Sequence, residues 1–237
     1  MYDLNNKILF KEKPSAVEDF SIKGLGVVFE NKFDKGVFEK IETERRGSGA
    51  PGRRDIVSVV EITAKRKGEL KIAVDRVRNQ VDVVMVNAQD IQVARAAAEM
   101  SAVDVISHAF VDQTSARDAA SNNVALEINL RDILQVYGMK RAIMLSKISF
   151  NLVLARKYKT PLVFTTGAQS IYDMRTPKQM MMFAEAIGFK RDEAKKAVLQ
   201  TPRKIVETNR KKRSGEIIAE GVKIAGAPGH RGSGAQK

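Results

Sequence analysis

The sequence predicts an α/β fold built on a mostly parallel sheet, with closure into a barrel the favoured form. Three observations carry this. Short apolar runs rich in Val and Ile recur along the first ~170 residues; several are continuous rather than alternating, as in strands buried on both faces; and helical patterns lie between them, so that β follows α follows β. With 237 residues there is room for about eight such units, and no strongly polar linker divides the chain. One domain over residues 1–213 is therefore expected, with a helical C-terminal end and a flexible tail over 214–237.

The expected strands are Leu25 to Phe29, Ile56 to Ile62, Val81 to Val86, Val103 to Ile106, Val124 to Ile128 and Leu162 to Thr166. Helical patterns run from Asp34 to Arg46, Asp90 to Ser101, Thr114 to Asn122 and Lys140 to Lys159. On a helical wheel the last of these gathers Ala142, Leu145, Ile148, Leu152, Val153 and Ala155 on one face, with Lys147 and Asn151 pointing away. Thr176-Pro177 and Thr201-Pro202 open two later helices, because Thr supplies an N-cap oxygen and Pro at the first helical position forfeits no needed donor. Gly68, among Lys65, Arg66, Lys67 and Lys71, reads as a hairpin or strand-to-strand turn. The run Met180-Met181-Met182 reads as core or partner interface.

Composition limits the chemistry. Lys and Arg number 41 against 28 Asp and Glu, a net charge of +13, which calls for an anionic partner. Zero Cys removes disulfides, thiolate metal sites and thiol nucleophiles together. The two histidines, His108 and His230, leave little for metal or acid–base chemistry. No apolar run approaches the ~18 residues of a membrane span and the start lacks a signal-peptide pattern, so a cytoplasmic protein without membrane contact is expected. From Arg203 to Lys237 nine basic residues face three acidic ones, which places nearly half of the surplus there; the stretch after Gly226 is too poor in apolar residues to pack.

The catalytic motifs fail on context. Gly47-Ser48-Gly49-Ala50-Pro51-Gly52 spells G-x-G-x-x-G, but it follows a helical pattern and precedes a strand, the reverse of a dinucleotide-binding turn. Its flanks, Arg45-Arg46 and Arg53-Arg54, suit phosphate oxygens, and equally suit a solvated charged loop. His108, with Asp104 and Asp112 nearby in sequence, reads as a hydrogen-bonded structural residue. Neither a G-x-S-x-G elbow nor a P-loop occurs. Basic clusters without Trp, and with 6% aromatics, favour recognition of RNA shape and phosphate. The candidate phosphate contacts are Arg53, Arg54, Lys65, Arg66, Arg76, Arg78, Lys147 and Arg175.

From His108 to Asn209, and more loosely from Tyr2, the sequence resembles the archaeal ribonuclease P protein component 3 family, counterpart of the eukaryotic thirty-kilodalton subunit. The resemblance is carried by the segments Asn123 to Leu130, Arg141 to Lys159, Pro161 to Ala168, Met174 to Pro177, Ala186 to Phe189 and Pro202 to Val206, in that order and spacing. It implies a distorted TIM-like α/β barrel related to the polymerase and histidinol phosphatase family. It further implies a ribonucleoprotein that removes the 5′ leader of precursor tRNA, in which the RNA subunit uses Mg²⁺ to cut. The implied partners are ribonuclease P RNA, protein component 2 (two copies of each protein), other protein subunits and precursor tRNA. The metal-dependent relatives end their first strand Asp-Leu-His-x-His, whereas this chain reads Asp3-Leu4-Asn5-Asn6-Lys7, so this chain is expected to bind no cofactor and to have no catalytic residue of its own. Two rival readings are a metal-dependent phosphoesterase using Asp3, Asp104, Glu127 and His108, and a general RNA chaperone working through its basic tail.

Overall fold

The computed structural model describes residues 1–5, 21–47, 55–219 and 222–223. Seven strands form one parallel sheet in sequential order: β1 (Tyr2–Asp3), β2 (Gly24–Glu30), β3 (Asp55–Thr63), β4 (Val83–Asn87), β5 (Val105–Ser107), β6 (Ala125–Asn129) and β7 (Leu162–Thr165). The helices α1 (Lys35–Gly47), α2 (Lys67–Val77), α3 (Ile91–Ala98) and α4 (Gln113–Ser121) follow β2 to β5 in turn; α5 (Leu130–Gln135) and α6 (Gly138–Tyr158) both follow β6. After β7 come α7 (Pro177–Ala186), α8 (Arg191–Lys195), a π-turn at Lys196–Gln200 and α9 (Thr201–Arg213).

The expected mostly parallel α/β barrel is thus observed, in a distorted form with seven sheet strands among the described residues. Among the described residues no backbone ladder joins β7 to β1. Side chains bridge that gap instead: the Asp3 carboxylate accepts from Thr166 N at 3.2 Å and from the Thr166 hydroxyl.

Both faces of each strand are buried, which explains the continuous apolar runs. One set of alternating residues points outward, including Ile56, Val60 and Ile62 of β3 and Val84 and Val86 of β4, and packs under α1 to α4. The other set points into the barrel, where Val57, Val59, Val83, Met85, Val105 and Val163 form an apolar layer. Burying such branched side chains contributes about 1.5–3 kcal/mol each. A third cluster joins β6 and β7 to α5 to α8 around Leu152, Phe164, Met180 and Val198.

Three local features differ from expectation. Lys65 to Lys71 is no hairpin: Lys67 opens α2, which buries Leu70, Val74 and Val77 at helical spacing. Gly68 sits in the first turn, where backbone donors lack intrahelical partners and a flexible residue costs little. The buried face of α6 comprises Ile148, Asn151, Leu152, Leu154 and Ala155, while Val153 is exposed. Asn151 points inward because its carboxamide ties down the loop after β5, donating to Ala109 O at 2.8 Å and accepting from Val111 N at 3.3 Å. Beyond Arg213, β8 (Ile217–Ala219) and β9 (Val222–Lys223) pair antiparallel, at the start of the segment expected to be a flexible tail. Within the Met run, Met180 is fully buried and Met182 exposed.

Candidate functional site

The two ends of the barrel differ in chemistry. At the N-terminal end an Asp opens or immediately precedes each of three successive strands: Asp55, Asp82 and Asp104. Helix α9 crosses this end and inserts Val206 into the interior apolar layer. Arg210 donates to Asp55 Oδ2 at 2.6 Å and to Asp82 Oδ2 at 2.9 Å, and Arg213 donates to Asp82 Oδ1 at 2.6 Å. Asn209 bridges Asp82 O and Asp104 Oδ1 at 2.9 and 2.8 Å. Desolvation pushes the Asp82 carboxyl up, but the hydrogen bond and charge of Arg210 outweigh it, so Asp82 lies below the usual carboxylate range. This end is sealed by ion pairs that position the last helix.

At the C-terminal end the inward-facing positions turn polar. Two residues beyond Val59, Val105, Ala125 and Val163 on the same face stand Glu61, Ser107, Glu127 and Thr165. Glu127 Oε1 accepts from Thr165 Oγ1 at 2.5 Å and from Asn5 Nδ2 at 3.0 Å, and Ser107 donates to Glu61 Oε1 at 2.9 Å. Asn5, two residues beyond β1, thus serves as a hydrogen-bond donor to the buried carboxylate. The second Glu127 oxygen is buried with no hydrogen-bond partner among the described residues, and burial pushes the carboxyl up to about 7. Tight packing holds the rim: Gly167, at φ +63°, lies so close to the Asn129 carboxamide that a Cβ would meet its Oδ1 at 2.1 Å.

His108 follows β5 with φ +56° and Nδ1 2.8 Å from Asp132 Oδ2. The hydrogen bond to Asp132 pushes its pKa up to about 9, so the ring is a protonated member of an ion pair at neutral pH. His108 is hydrogen-bonded, and its partner is Asp132 rather than Asp104 or Asp112, its neighbours in sequence. Asp104 lies at the opposite end of β5, roughly 10–13 Å away at the strand rise, and Asp112 caps α4 while pairing with Arg95. The rival's quartet is therefore not assembled around His108. Among the described residues, no group of three or more His, Cys, Asp and Glu is arranged to hold a metal ion.

Of the basic candidates, Lys65 and Arg66 stand exposed in the connection from β3 to α2, at the C-terminal end. Lys147, also exposed, borders a cleft at the same end, with its Nζ 6.0 Å from the Phe110 ring centroid. Arg175 follows β7 and donates to Tyr172 O and Met174 O at 2.7 and 2.6 Å. Arg76 is exposed on the last turn of α2. Arg78 is spent internally, donating to Asp104 Oδ2 at 2.5 Å and to the carbonyls of Ala102, Val81 and Asp82. Arg53, Arg54 and His230 lie outside the described residues, as does nearly all of the glycine-rich loop. Sequence reasoning missed the α9 network; the Asp preceding three successive strands was the available signal.

A TIM-like α/β barrel, plugged by a helix at one end and lined with polar side chains at the other, is the class these features define. The model of the family RNase P subunit p30 matches residues 36–214, and the chain belongs to that family of ribonuclease P protein subunits. Ribonuclease P protein component 3 of Methanosarcina mazei is 37% identical over 171 residues, covering 70% of this chain and 71% of the relative. Its counterpart from Methanococcoides burtonii is 35% identical over 176 residues, covering 72% of each. A chain in the cryo-EM structure of archaeal ribonuclease P with mature tRNA superposes with a TM-score of 0.80 over 97% of this chain and 100% of that one, at 23% identity, a likeness of fold. The barrel architecture extends to A. niger ochratoxinase, at a TM-score of 0.53 and 14% identity, over 86% of this chain and 60% of that one.

Proposed function

We propose that this chain is a non-catalytic protein subunit of ribonuclease P, supporting the catalytic RNA that removes the 5′ leader of precursor tRNA. The single observation that carries this is the family match over residues 36–214, together with relatives that bear the name ribonuclease P protein component 3. The Mg²⁺ of the reaction belongs in this reading to the catalytic RNA.

The partners are the ribonuclease P RNA, precursor tRNA and protein component 2, two copies of each protein forming a heterotetramer. Exposed Lys65, Arg66, Arg76 and Lys147 are the contacts favoured for phosphate, with Arg175 keeping part of its guanidinium for the fold; Arg53 and Arg54 complete the set. Arg78 is assigned to the scaffold. Among the described residues no helix is long and apolar enough to cross a membrane, and the cytoplasm is the proposed compartment.

Assembly tests this directly. Size-exclusion light scattering of this chain with protein component 2 should give a heterotetramer that shifts ribonuclease P RNA on a native gel. Two proteins that elute separately and leave the RNA unshifted would reject the reading.

A further inference from the structure

The C-terminal mouth opens into a cleft of about 510 Å³ between the strand ends and α6, a size that suits a nucleoside-sized ligand. Its walls are Ile143, Met144 and Ile148 of α6, with Phe110 at the edge; Lys140 and Lys147 stand on the rim. Phe110 stacks on Phe150 at 5.4 Å between centroids and 29° between planes, and both rings remain 43% exposed. At the floor is Glu127, 6% exposed, whose Oε2 has no hydrogen-bond partner among the described residues. The Gln89 carboxamide lines the same space.

We propose that this cleft receives one unstacked nucleotide of single-stranded RNA, its base lying against Phe110 and reaching Glu127, its phosphates meeting Lys140 and Lys147. The inference rests on the ribonuclease P reading and deepens it. An exposed aromatic flanked by cations is the platform on which bases stack with tolerance of sequence. A base edge also offers the hydrogen bond that Glu127 lacks. A purely apolar protein side chain filling the cleft would seal that oxygen and the His108–Asp132 pair from water, costing about 1–3 kcal/mol for each polar group left unpartnered. A divalent cation would face the protonated His108 and two lysines.

Photo-crosslinking of the full chain to a short oligouridine carrying 5-iodouridine tests the site. Crosslinked peptides should contain Phe110 or the Ile143–Ile148 turn of α6. Phe110→Ala should abolish the crosslink and weaken oligouridine binding roughly 5- to 150-fold, the range expected when a base–aromatic stack is removed. Lys147→Glu, at an exposed helical position, should weaken binding while leaving the circular dichroism spectrum unchanged, which separates loss of the ligand from loss of the fold. The Lys65→Ala/Arg66→Ala pair should lower affinity and leave the cleft crosslink in place. Crosslinks confined to other segments, or unchanged affinity in both cleft variants, would overturn the cleft while the heterotetramer still forms. Failure of the heterotetramer would instead strike the ribonuclease P reading itself.

Discussion

Arg210, on the last helix, places Nη2 2.9 Å from the carboxylate of Asp82, a residue 128 positions earlier that sits immediately before β4. This ion pair, with Arg213 on the other Asp82 oxygen, fastens α9 across one end of the barrel. Asp82 is 3% exposed, whereas the two arginine side chains reach water. Asp82→Ala should therefore cost about 3 kcal/mol, the lower end for breaking a buried pair. It leaves Ser58 N and two guanidinium groups short of their acceptor. A urea unfolding midpoint equal to that of the parent chain would contradict the assignment.

Leu70 is fully buried on α2, in the segment whose composition suggests a turn. Leu70→Ala should destabilise the chain by about 2–5 kcal/mol. Gly68→Ala, with nothing within 4 Å of the added Cβ, should be neutral or slightly stabilising. Thermal melts of the two variants check both; a hairpin at this place would reverse the order.

The polar mouth makes stability depend on pH through two groups. Glu127 is raised from 4.5 to about 7 by burial, so folding favours its protonated form, and the penalty for ionising it grows between about pH 4.5 and 7. His108 is raised from 6.5 to about 9 by Asp132, so its contribution is complete below about pH 6.5 and disappears as pH rises through 9. Melting temperature should fall across both windows. Glu127→Gln should flatten the lower window and Asp132→Asn the upper one; identical pH profiles for all three chains would refute the assignment.

Phosphate recognition through exposed side chains predicts that RNA affinity falls with salt as counterions rebind. Removing one cation that neutralises a phosphate should reduce the slope of log K against log salt by about 0.7–0.9. Lys65→Ala/Arg66→Ala should thus lower the slope by about 1.4–1.8, while Arg78→Lys should leave it unchanged and reduce stability. Filter-binding titrations at several salt concentrations measure this; an unchanged slope in the first variant would remove Lys65 and Arg66 from the interface.

The strands were legible because runs such as Ile56 to Ile62 are β-branched on both faces, as a buried parallel sheet requires. That same feature hid the division of labour along each strand: Val57 and Val59 look no different from Ile56 and Val60, so neither the interior set nor the polar step at Glu61 stands out in the sequence. The charge count read the last helix as part of a basic surplus, although Arg210 and Arg213 spend their charge on Asp55 and Asp82 within the fold. His108 was legible as a lone histidine, but its partner is Asp132 on α5 rather than the Asp104 and Asp112 near it in sequence. The cleft was not, because Gln89, Phe110, Glu127 and Lys147 come from four separate segments that only the barrel brings together.

The central claim is that this chain acts in tRNA 5′ processing without cutting RNA itself. Precursor-tRNA cleavage by ribonuclease P RNA with protein component 2, assayed with and without this chain across a range of Mg²⁺ concentrations, tests it most directly. The account predicts a higher cleavage rate or a lower Mg²⁺ requirement when the chain is added, and no cleavage by the chain alone. An unchanged rate at every Mg²⁺ concentration, or cleavage of precursor tRNA by the purified chain without RNA, would contradict it.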